Sequence, residues 1–158
     1  MAVKFKAYDA AYFARWYRGK NASDPKALAR KVAAAVAITE LHLGRPLRSV
    51  LDIGCGEAAW RKPLLALRPG LHYQGLEAST YAVQRYGKSR NIAYARFGQL
   101  QYLRPGAPAD LLICSDVMHY VPAAELKRGL EGFAELCAGV AYLEVFCRED
   151  AITGDFDG

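Results

Sequence analysis

The chain has 158 residues and is mildly basic, with 21 Lys and Arg against 16 Asp and Glu and a formal net charge of +5. Hydrophobic residues make up 53% and charged residues 23% of the sequence, which is typical of one globular domain and excludes a fibrous or disordered chain. Because the basic residues are scattered singly or in pairs, the charge permits an anionic partner without requiring one.

The cysteines and histidines do not predict a metal site. The four cysteines, at positions 55, 114, 137 and 147, contain no C-x-x-C pair, and we interpret them as reduced thiols. The three histidines, at positions 42, 72 and 119, have no ligand-like spacing.

The N-terminal residues lack the apolar core of a signal peptide, and no segment resembles a membrane span. We therefore expect a cytoplasmic protein that does not bind membranes.

Two helices are predicted at the start of the chain. Aromatic residues recur at helical spacing over residues 8–18, which indicates a short helix that ends at Gly19 and packs its aromatic face on the domain. After a loop, Asp24 can cap a second helix with Pro25 at its first position, and that helix runs to about Gly44.

From residue 49 onward, β-type runs alternate with helical runs. The predicted strands are SVLDI, HYQGLE, IAYARF, DLLICS and VAYLEVF, and the helices between them lie near residues 60–67, 80–88 and 123–137. Alternating strands and helices of this kind indicate an α/β fold, a doubly wound and mainly parallel sheet with helices on both faces.

The stretch VLDIGCGEAAW, residues 50–60, follows the first predicted strand into a glycine loop. Gly54 and Gly56 let the chain turn sharply and bring its backbone close to a ligand. In open parallel sheets, ligands lie beyond the carboxyl ends of the strands, where the strand order reverses. The loop is therefore the predicted ligand site.

The glycine pattern also fits a dinucleotide site, with Glu77, 21 residues after Gly56, as the acid for ribose hydroxyls. Against a pyrophosphate, Asp52 precedes the loop and Glu57 follows it. A carboxylate about 5 Å from a phosphate charge costs about 3 kcal/mol, or about a hundredfold in affinity. The charges therefore favour a nucleoside with a cationic tail, such as S-adenosylmethionine.

Four motifs in order support the same cofactor: VLDIGCGEA, the acid in YQGLEAS, GQL after the third strand, and DLLICSDVMHYV. Together they resemble the class I S-adenosylmethionine-dependent methyltransferases, which have a Rossmann-like fold, over roughly residues 45–147. The resemblance implies S-adenosylmethionine as cofactor and S-adenosylhomocysteine as product. We interpret residues 1–158 as one domain, with N-terminal helices or a lid at 1–44, the cofactor core at 45–147 and a mobile tail at 148–158.

The resemblance implies roles for residues near the methionine and ribose parts of the cofactor. Asp52 would support the methionine ammonium group, directly or through water, or it could instead cap a helix or pair with a lysine. The backbone of Gly54, Cys55 and Gly56 would lie against the methionine part. Glu77 would accept hydrogen bonds from both ribose hydroxyls, unless it is only a solvated strand end.

Near the adenine, the resemblance places Ala78 and Ser79 beside the base. Gly98, Gln99 and Leu100 stand where the family often has an acid that receives the adenine amino group. The amide oxygen of Gln99 could accept that hydrogen bond without a charge. Gln99 could equally be an ordinary loop residue.

The methyl acceptor site is expected after the fourth strand, where Ser115 and Asp116 would border the transferable methyl group by resemblance. His119 is the histidine nearest to this place and could act as general base, or it could be satisfied by a backbone carbonyl. Aromatic residues could wall the acceptor pocket, namely Tyr12, Trp16, Tyr17 and Tyr120.

The sequence favours a small-molecule acceptor. The fourth strand ends in SDVM and lacks the Asn/Asp-Pro-Pro-aromatic motif of amino-methylating nucleic-acid enzymes, so a nucleic-acid acceptor is disfavoured. An NAD-dependent oxidoreductase and a catalytically silent adenosyl-binding module remain as alternatives.

The family fold normally adds a helix and an antiparallel pair of strands after the fifth strand. This chain ends 11 residues beyond Cys147, so the sheet is expected to lack its last strands. Either the chain is a piece of a longer protein, which we favour, or a partner such as a second copy covers the exposed sheet edge in a homodimer.

Overall fold

The computed structural model describes residues 8–18, 24–146 and 150. Its centre is a five-stranded parallel sheet with the order β3-β2-β1-β4-β5. This confirms the predicted doubly wound α/β architecture. The strands are β1 Ser49–Ile53, β2 His72–Glu77, β3 Ile92–Tyr94, β4 Ala109–Ser115 and β5 Cys137–Glu144.

Six α-helices and two short 3-10 helices accompany the sheet in the described residues. The α-helices are α1 Ala10–Tyr17, α2 Pro25–Leu43, α3 Arg61–Leu67, α4 Thr80–Arg90, α5 Ala123–Glu131 and α6 Phe133–Leu136. The 3-10 helices cover Phe97–Gln101 and Met118–Tyr120. No helix in the described part of the chain has the length and apolar character needed to cross a membrane.

The ends of α2 follow from local chemistry, as the sequence predicts. The Asp24 carboxylate accepts a hydrogen bond of 2.9 Å from the Lys26 backbone N–H, and Pro25 begins the helix. Gly44 adopts a left-handed φ of 65° and its N–H donates to the Glu40 carbonyl at 2.9 Å. The predicted end of α1 at Gly19 lies outside the described residues.

Each face of the sheet buries its own apolar core. One core packs α2, α3 and α4 on the sheet and includes Val32, Leu64 and Val83. The other packs α5, α6 and the first 3-10 helix on the opposite face and includes Phe97 and Leu136. Because β1 lies between β2 and β4, the strand order reverses at β1, and a crevice is expected at its carboxyl end.

The structure differs from the prediction in three elements, the third and fifth strands and the helix before the fifth strand. The run IAYARF is strand only as far as Tyr94, because the chain then turns into the 3-10 helix Phe97–Gln101. The helix predicted at residues 123–137 is broken at Gly132, and β5 begins at Cys137 and ends at Glu144. The predicted tail at 148–158 lies, apart from Asp150, outside the described residues.

Packing requires a glycine at position 132, between α5 and α6. A Cβ atom added at Gly132 would lie 1.9 Å from the Leu100 carbonyl oxygen, and the φ of −83° at this glycine carries no strain. The helix can therefore approach the backbone of the 3-10 helix only where no side chain stands between them.

We expect Gly132→Ala to lower the free energy of unfolding by about 3 kcal/mol, because backbone atoms must move to admit the methyl group. Urea denaturation followed by circular dichroism measures this change. Gly106→Ala is the matched control, since a Cβ at Gly106 meets nothing within 4 Å. Equal denaturation midpoints for the two variants would contradict the packing argument.

The β5 strand forms one edge of the sheet and pairs with β4. Leu143, Val145 and Phe146 at its end are 48%, 42% and 37% exposed. An exposed apolar edge of this kind is usually covered in native proteins. The predicted homodimer through this edge stays a prediction.

Candidate functional site

A cavity of about 440 Å³ opens at the carboxyl ends of β1, β2 and β4. This volume lies within the range of small-molecule sites. The first two strands contribute Ile53 and Leu76 to its floor, and α1 forms one wall. The cavity thus occupies the crevice that the strand order predicts.

The glycine loop lines this cavity with its backbone. Gly54 and Gly56 have left-handed φ values of +65° and +55°, which glycine adopts without strain. A Cβ at Gly54 would lie 2.4 Å from a methyl carbon of Val117, and a Cβ at Gly56 would lie 2.1 Å from the Tyr17 hydroxyl oxygen. Both positions therefore require glycine, because the side chains of Val117 and Tyr17 pack directly against this loop.

Cys55 lies between these glycines but is not among the residues that line the cavity. Its side chain is buried, and its sulfur lies 2.6 Å from where a Cβ of Gly75 would be. The thiol therefore packs against β2 and fills space. Burial raises the pKa of this thiol well above its ordinary value, so it is protonated at neutral pH.

Glu77 ends β2, lines the cavity and is only 8% exposed. One carboxylate oxygen accepts a hydrogen bond of 2.7 Å from the Gly56 N–H, and the other accepts one of 2.8 Å from the Ser79 N–H. Burial raises the pKa of Glu77, and these backbone hydrogen bonds oppose the rise. The carboxylate thus ties β2 to the glycine loop while it faces the cavity.

Asp52 is 2% exposed and does not line the cavity. Its carboxylate accepts a hydrogen bond of 2.7 Å from the Tyr73 hydroxyl. Burial raises the pKa of Asp52 from 3.8 to about 7, against the effect of that hydrogen bond, and the charge of Glu77 adds to the rise. Its contact with a methionine ammonium group remains a prediction.

In the structure, the two acids that were expected to disfavour a pyrophosphate present less negative charge than the sequence suggests. Asp52 carries only part of its charge near pH 7, because its pKa is raised to about 7. Glu57 is paired with Arg18 at 2.9 Å and lies 3.9 Å from Arg90. Neither carboxylate therefore presents a full negative charge to a ligand, and Glu77 is the acid of the three that faces the cavity.

The residues after β3 that line the cavity lie slightly earlier in the chain than the sequence suggests. The lining residues at this end are Ala78, Ala95, Arg96, Phe97 and Leu100. Gly98 and Gln99 are not among them. The Gln99 amide oxygen accepts a 2.8 Å hydrogen bond from the Arg96 N–H, and this favours the interpretation of Gln99 as an ordinary loop residue. Only the end of the predicted strand IAYARF could have indicated residues 95–97.

Ser79 also serves the fold, and it does not line the cavity. Its hydroxyl oxygen accepts a 3.1 Å hydrogen bond from the Ala82 N–H as the N-cap of α4. The same hydroxyl donates to the Tyr8 carbonyl at 2.5 Å. Ser79 thus fixes the segment before α1 to the sheet.

Of Ser115 and Asp116, which were both expected to border the methyl group, Asp116 lines the cavity and Ser115 does not. Asp116 adopts a left-handed φ of 64°, which is uncommon for a residue other than glycine and often marks a functional site. Burial raises the pKa of its carboxyl group. Tyr12 and Tyr120 line the same cavity.

The aromatic wall differs in part from the predicted one. Tyr8, Tyr12, Phe13 and Tyr17 line the cavity, whereas Trp16 does not and instead packs against Arg15, whose guanidinium carbon lies 5.1 Å from the ring centroid. Burial, followed by the nearby Tyr120, Tyr8, Asp116 and Glu77, raises the pKa of Tyr12. Its hydroxyl group therefore stays protonated at neutral pH.

His119 lies behind Asp116 and does not line the cavity. Its Nε2 atom is 3.5 Å from an Asp116 carboxylate oxygen, and its side chain is 9% exposed. Its ring also packs against the rings of Tyr120 and Phe146, at centroid distances of 4.2 and 4.9 Å. Burial lowers the pKa of His119, although Asp116 opposes this, so the neutral imidazole is favoured.

A network of polar contacts holds the end of β4 in place. The Ser115 hydroxyl donates to a Glu144 carboxylate oxygen at 2.6 Å, and Lys31 forms an ion pair with the other oxygen. The Asp116 N–H donates to the Glu144 carbonyl at 2.9 Å. Ser115 is thus a structural partner of β5, and Asp116 is the residue that it positions.

The sequence over residues 51–140 matches the family model described as a methyltransferase domain. The chain belongs to the methyltransferase domain family. This span includes the glycine loop, Glu77 and the Asp116 turn. A search of curated proteins gave no significant match to this methyltransferase domain.

Solved structures share the fold of this methyltransferase domain, which is that of the class I S-adenosylmethionine-dependent enzymes. A sugar N-methyltransferase from a Streptoalloteichus species matches with a TM-score of 0.62 and 22% identity over 87% of this chain and 53% of that one. A magnesium protoporphyrin IX methyltransferase from Synechocystis, with bound S-adenosylhomocysteine, gives a TM-score of 0.59 and 22% identity over 83% and 65% of the chains.

A methyltransferase from Archaeoglobus fulgidus matches with a TM-score of 0.58 and 13% identity over 80% of this chain and 52% of that one. This methyltransferase domain therefore spans about half the length of several structures that it matches.

Within residues 8–18, 24–146 and 150, no group of three or more His, Cys, Asp or Glu side chains could hold a metal ion.

Proposed function

We propose that the chain is an S-adenosylmethionine-dependent methyltransferase that acts on a small molecule. The observation that carries the proposal is Glu77, a buried carboxylate that faces the cavity while it holds the Gly56 N–H at 2.7 Å. Its oxygens have further lone pairs that can accept hydrogen bonds from two ribose hydroxyls. Membership of the methyltransferase domain family supports the same function.

The residues around the cavity fit the parts of an adenosyl cofactor. The backbone of Gly54 and Gly56, which lines the cavity beside Tyr17 and Val117, would contact the methionine part, and Glu77 would accept hydrogen bonds from the ribose. Apolar residues on the far side, among them Ala78, Phe97 and Leu100, would contact the adenine. When bound, the cofactor supplies an electrophilic methyl group on a sulfonium sulfur.

The chain's own residues then have to position an acceptor and exclude water. Methyl transfer requires the nucleophile to lie in line with the carbon–sulfur bond, so orientation contributes much of the rate acceleration. Asp116 reaches the cavity from the end of β4. Tyr12 and Tyr120 line the same cavity and provide aromatic surface. These three residues would hold the acceptor.

Calorimetric titration with S-adenosylmethionine, S-adenosylhomocysteine and NAD tests the proposal. We expect both adenosyl compounds to bind with micromolar dissociation constants and NAD to give no heat. Circular dichroism shows whether the titrated chain is folded. A folded chain that binds NAD, or that binds none of the three compounds, would refute the proposed function.

His119 is expected to act through Asp116 as a positioning residue. We predict that His119→Ala lowers kcat by about tenfold, because the Asp116 carboxylate loses a partner 3.5 Å away. The affinity for S-adenosylhomocysteine should stay within about twofold, since His119 does not line the cavity. Turnover of an identified acceptor and calorimetry separate these two quantities, and an unchanged kcat would remove His119 from the mechanism.

A second variant, His119→Gln, separates a positioning role of His119 from a role in proton transfer. A glutamine can donate a hydrogen bond to the Asp116 carboxylate, but it cannot accept a proton at neutral pH. Recovery of kcat in this variant would assign His119 a positioning role alone. Failure to recover in a variant that keeps its fold would indicate that the imidazole also receives a proton.

A further inference from the structure

We propose that the methyl acceptor is an amine, bound as an ammonium group by Asp116 in the cavity that Tyr12 and Tyr120 also line. This inference rests on the proposed function, since it names the acceptor class of the same cavity. It follows from three observations: the charges that face the cavity, the placement of Asp116 and the aromatic residues around it.

The charged residues that line the cavity are mainly acidic. They comprise the carboxylates of Glu77, Asp116 and Glu125, and among the described lining residues Arg96 is the one base. Arg96 lies 3.3 Å from a Glu125 carboxylate oxygen, so that pair offsets its own charges. The remaining acids give the cavity a negative field, which disfavours carboxylate and phosphate acceptors and favours a cation.

Asp116 is the acid at the acceptor end of the cavity. Glu77 is already engaged with the Gly56 and Ser79 N–H groups, whereas the Asp116 side chain is 56% exposed and faces His119. The polar network through Glu144 fixes its backbone. A carboxylate on a backbone held in this way can accept hydrogen bonds from an ammonium group.

The aromatic residues complete a cation site. Tyr12 and Tyr120 line the cavity together with Asp116, and the faces of tyrosine rings attract organic cations by cation–π interaction. A cavity that holds both a carboxylate and aromatic rings favours an ammonium group over a neutral hydroxyl group of similar size. The same surroundings give no favourable contact to an anion.

The proton balance is consistent with this arrangement. The ammonium group transfers one proton to the Asp116 carboxylate, which leaves a neutral amine. The nitrogen lone pair then forms the new nitrogen–carbon bond while the carbon–sulfur bond breaks, and that bond's electron pair remains on sulfur as a neutral thioether. The product is a methylated ammonium ion, and the Asp116 proton passes to His119 or to water.

Three probes that share one ring and differ in the head group test the inference: phenethylamine, 2-phenylethanol and phenylacetate. Each is titrated calorimetrically into the chain saturated with S-adenosylhomocysteine, which lacks the sulfonium charge. We expect phenethylamine to bind at least about tenfold more tightly than either other probe. Failure of S-adenosylhomocysteine to bind would refute the proposed function itself, which distinguishes the two outcomes.

Asp116→Asn tests the residue. It keeps the shape of the side chain and removes the charge, so the preference for phenethylamine should fall to about twofold or less. Glu131→Gln, an exposed acid that pairs with Gln101, is the control and should keep the full preference. Phenylacetate binding as tight as that of phenethylamine, no phenethylamine binding at 10 mM (about −3 kcal/mol), or an unchanged preference in Asp116→Asn would overturn the inference.

Discussion

Replacement of Glu77 by Ala is expected to weaken the binding of S-adenosylhomocysteine by at least about a hundredfold. Two losses combine in this variant. The ribose hydroxyls would lose the charge-assisted hydrogen bonds proposed for Glu77, which contribute about 1.5–3 kcal/mol each. The Gly56 and Ser79 N–H groups also lose the acceptors that hold them at 2.7 and 2.8 Å, so the glycine loop is less well positioned.

Glu77→Gln separates the two losses. The amide oxygen can still accept from one N–H group, but the amide nitrogen cannot accept from the other. We expect an intermediate affinity, about tenfold below that of the unaltered chain. Calorimetry gives the affinities, and thermal denaturation shows that each variant is folded. An affinity for Glu77→Ala within threefold of the unaltered chain would exclude Glu77 from cofactor binding.

Replacement of Asp52 by Asn is expected to stabilise the chain by up to about 4 kcal/mol at pH 8. In the folded state burial raises the pKa of Asp52 from 3.8 to about 7, and that difference corresponds to about 4 kcal/mol. The folded state therefore binds more protons than the unfolded state between pH 4 and 7. Its free energy of unfolding falls as the pH rises through this window and stays low above pH 7.

The measurement is urea denaturation at pH 5 and pH 8. The amide oxygen introduced by Asp52→Asn can still accept the hydrogen bond that the Asp52 carboxylate accepts from the Tyr73 hydroxyl at 2.7 Å. The gain in the free energy of unfolding should therefore be large at pH 8 and small at pH 5.

Asp110→Asn is the control and is expected to have the opposite effect on the free energy of unfolding. Its ion pair with Arg45, at 2.8 Å, lowers the pKa of Asp110, so the charged form stabilises the fold above pH 4 and that variant loses stability at both pH values. Equal effects of Asp52→Asn at pH 5 and 8 would contradict a raised pKa.

The features that the sequence predicted depend on contacts between near neighbours in the chain. Asp24, Pro25 and Gly44 define α2 by backbone chemistry within one turn of the helix. Strands and helices alternate in the sequence with a spacing that allows one arrangement, the parallel sheet. The glycine loop and Glu77 follow because a parallel sheet brings the ends of its central strands to one edge.

The features that the sequence did not settle have different causes. Gly132 is required because the Leu100 carbonyl oxygen, 32 residues earlier, occupies the space of a side chain, and the sequence gives no sign of this distant contact. Asp116, expected beside the methyl group, lines the cavity, whereas His119 does not. The Asp116 N–H binds the carbonyl of Glu144 at the end of the neighbouring strand, which is again a distant contact. The Gln99 amide oxygen accepts a hydrogen bond from the Arg96 N–H, a local contact that has no separate sequence signal.

Because α1 forms part of the cavity wall, ligand binding and the docking of α1 on the rest of the domain are thermodynamically coupled. Tyr12, Phe13 and Tyr17 form part of the cavity wall, while Ser79 holds the start of this segment and Glu57 pairs with Arg18 at its end. A molecule in the cavity therefore contacts α1 directly. By thermodynamic reciprocity, the ligand stabilises the docked helix by the same free energy that the docked helix adds to the ligand's affinity.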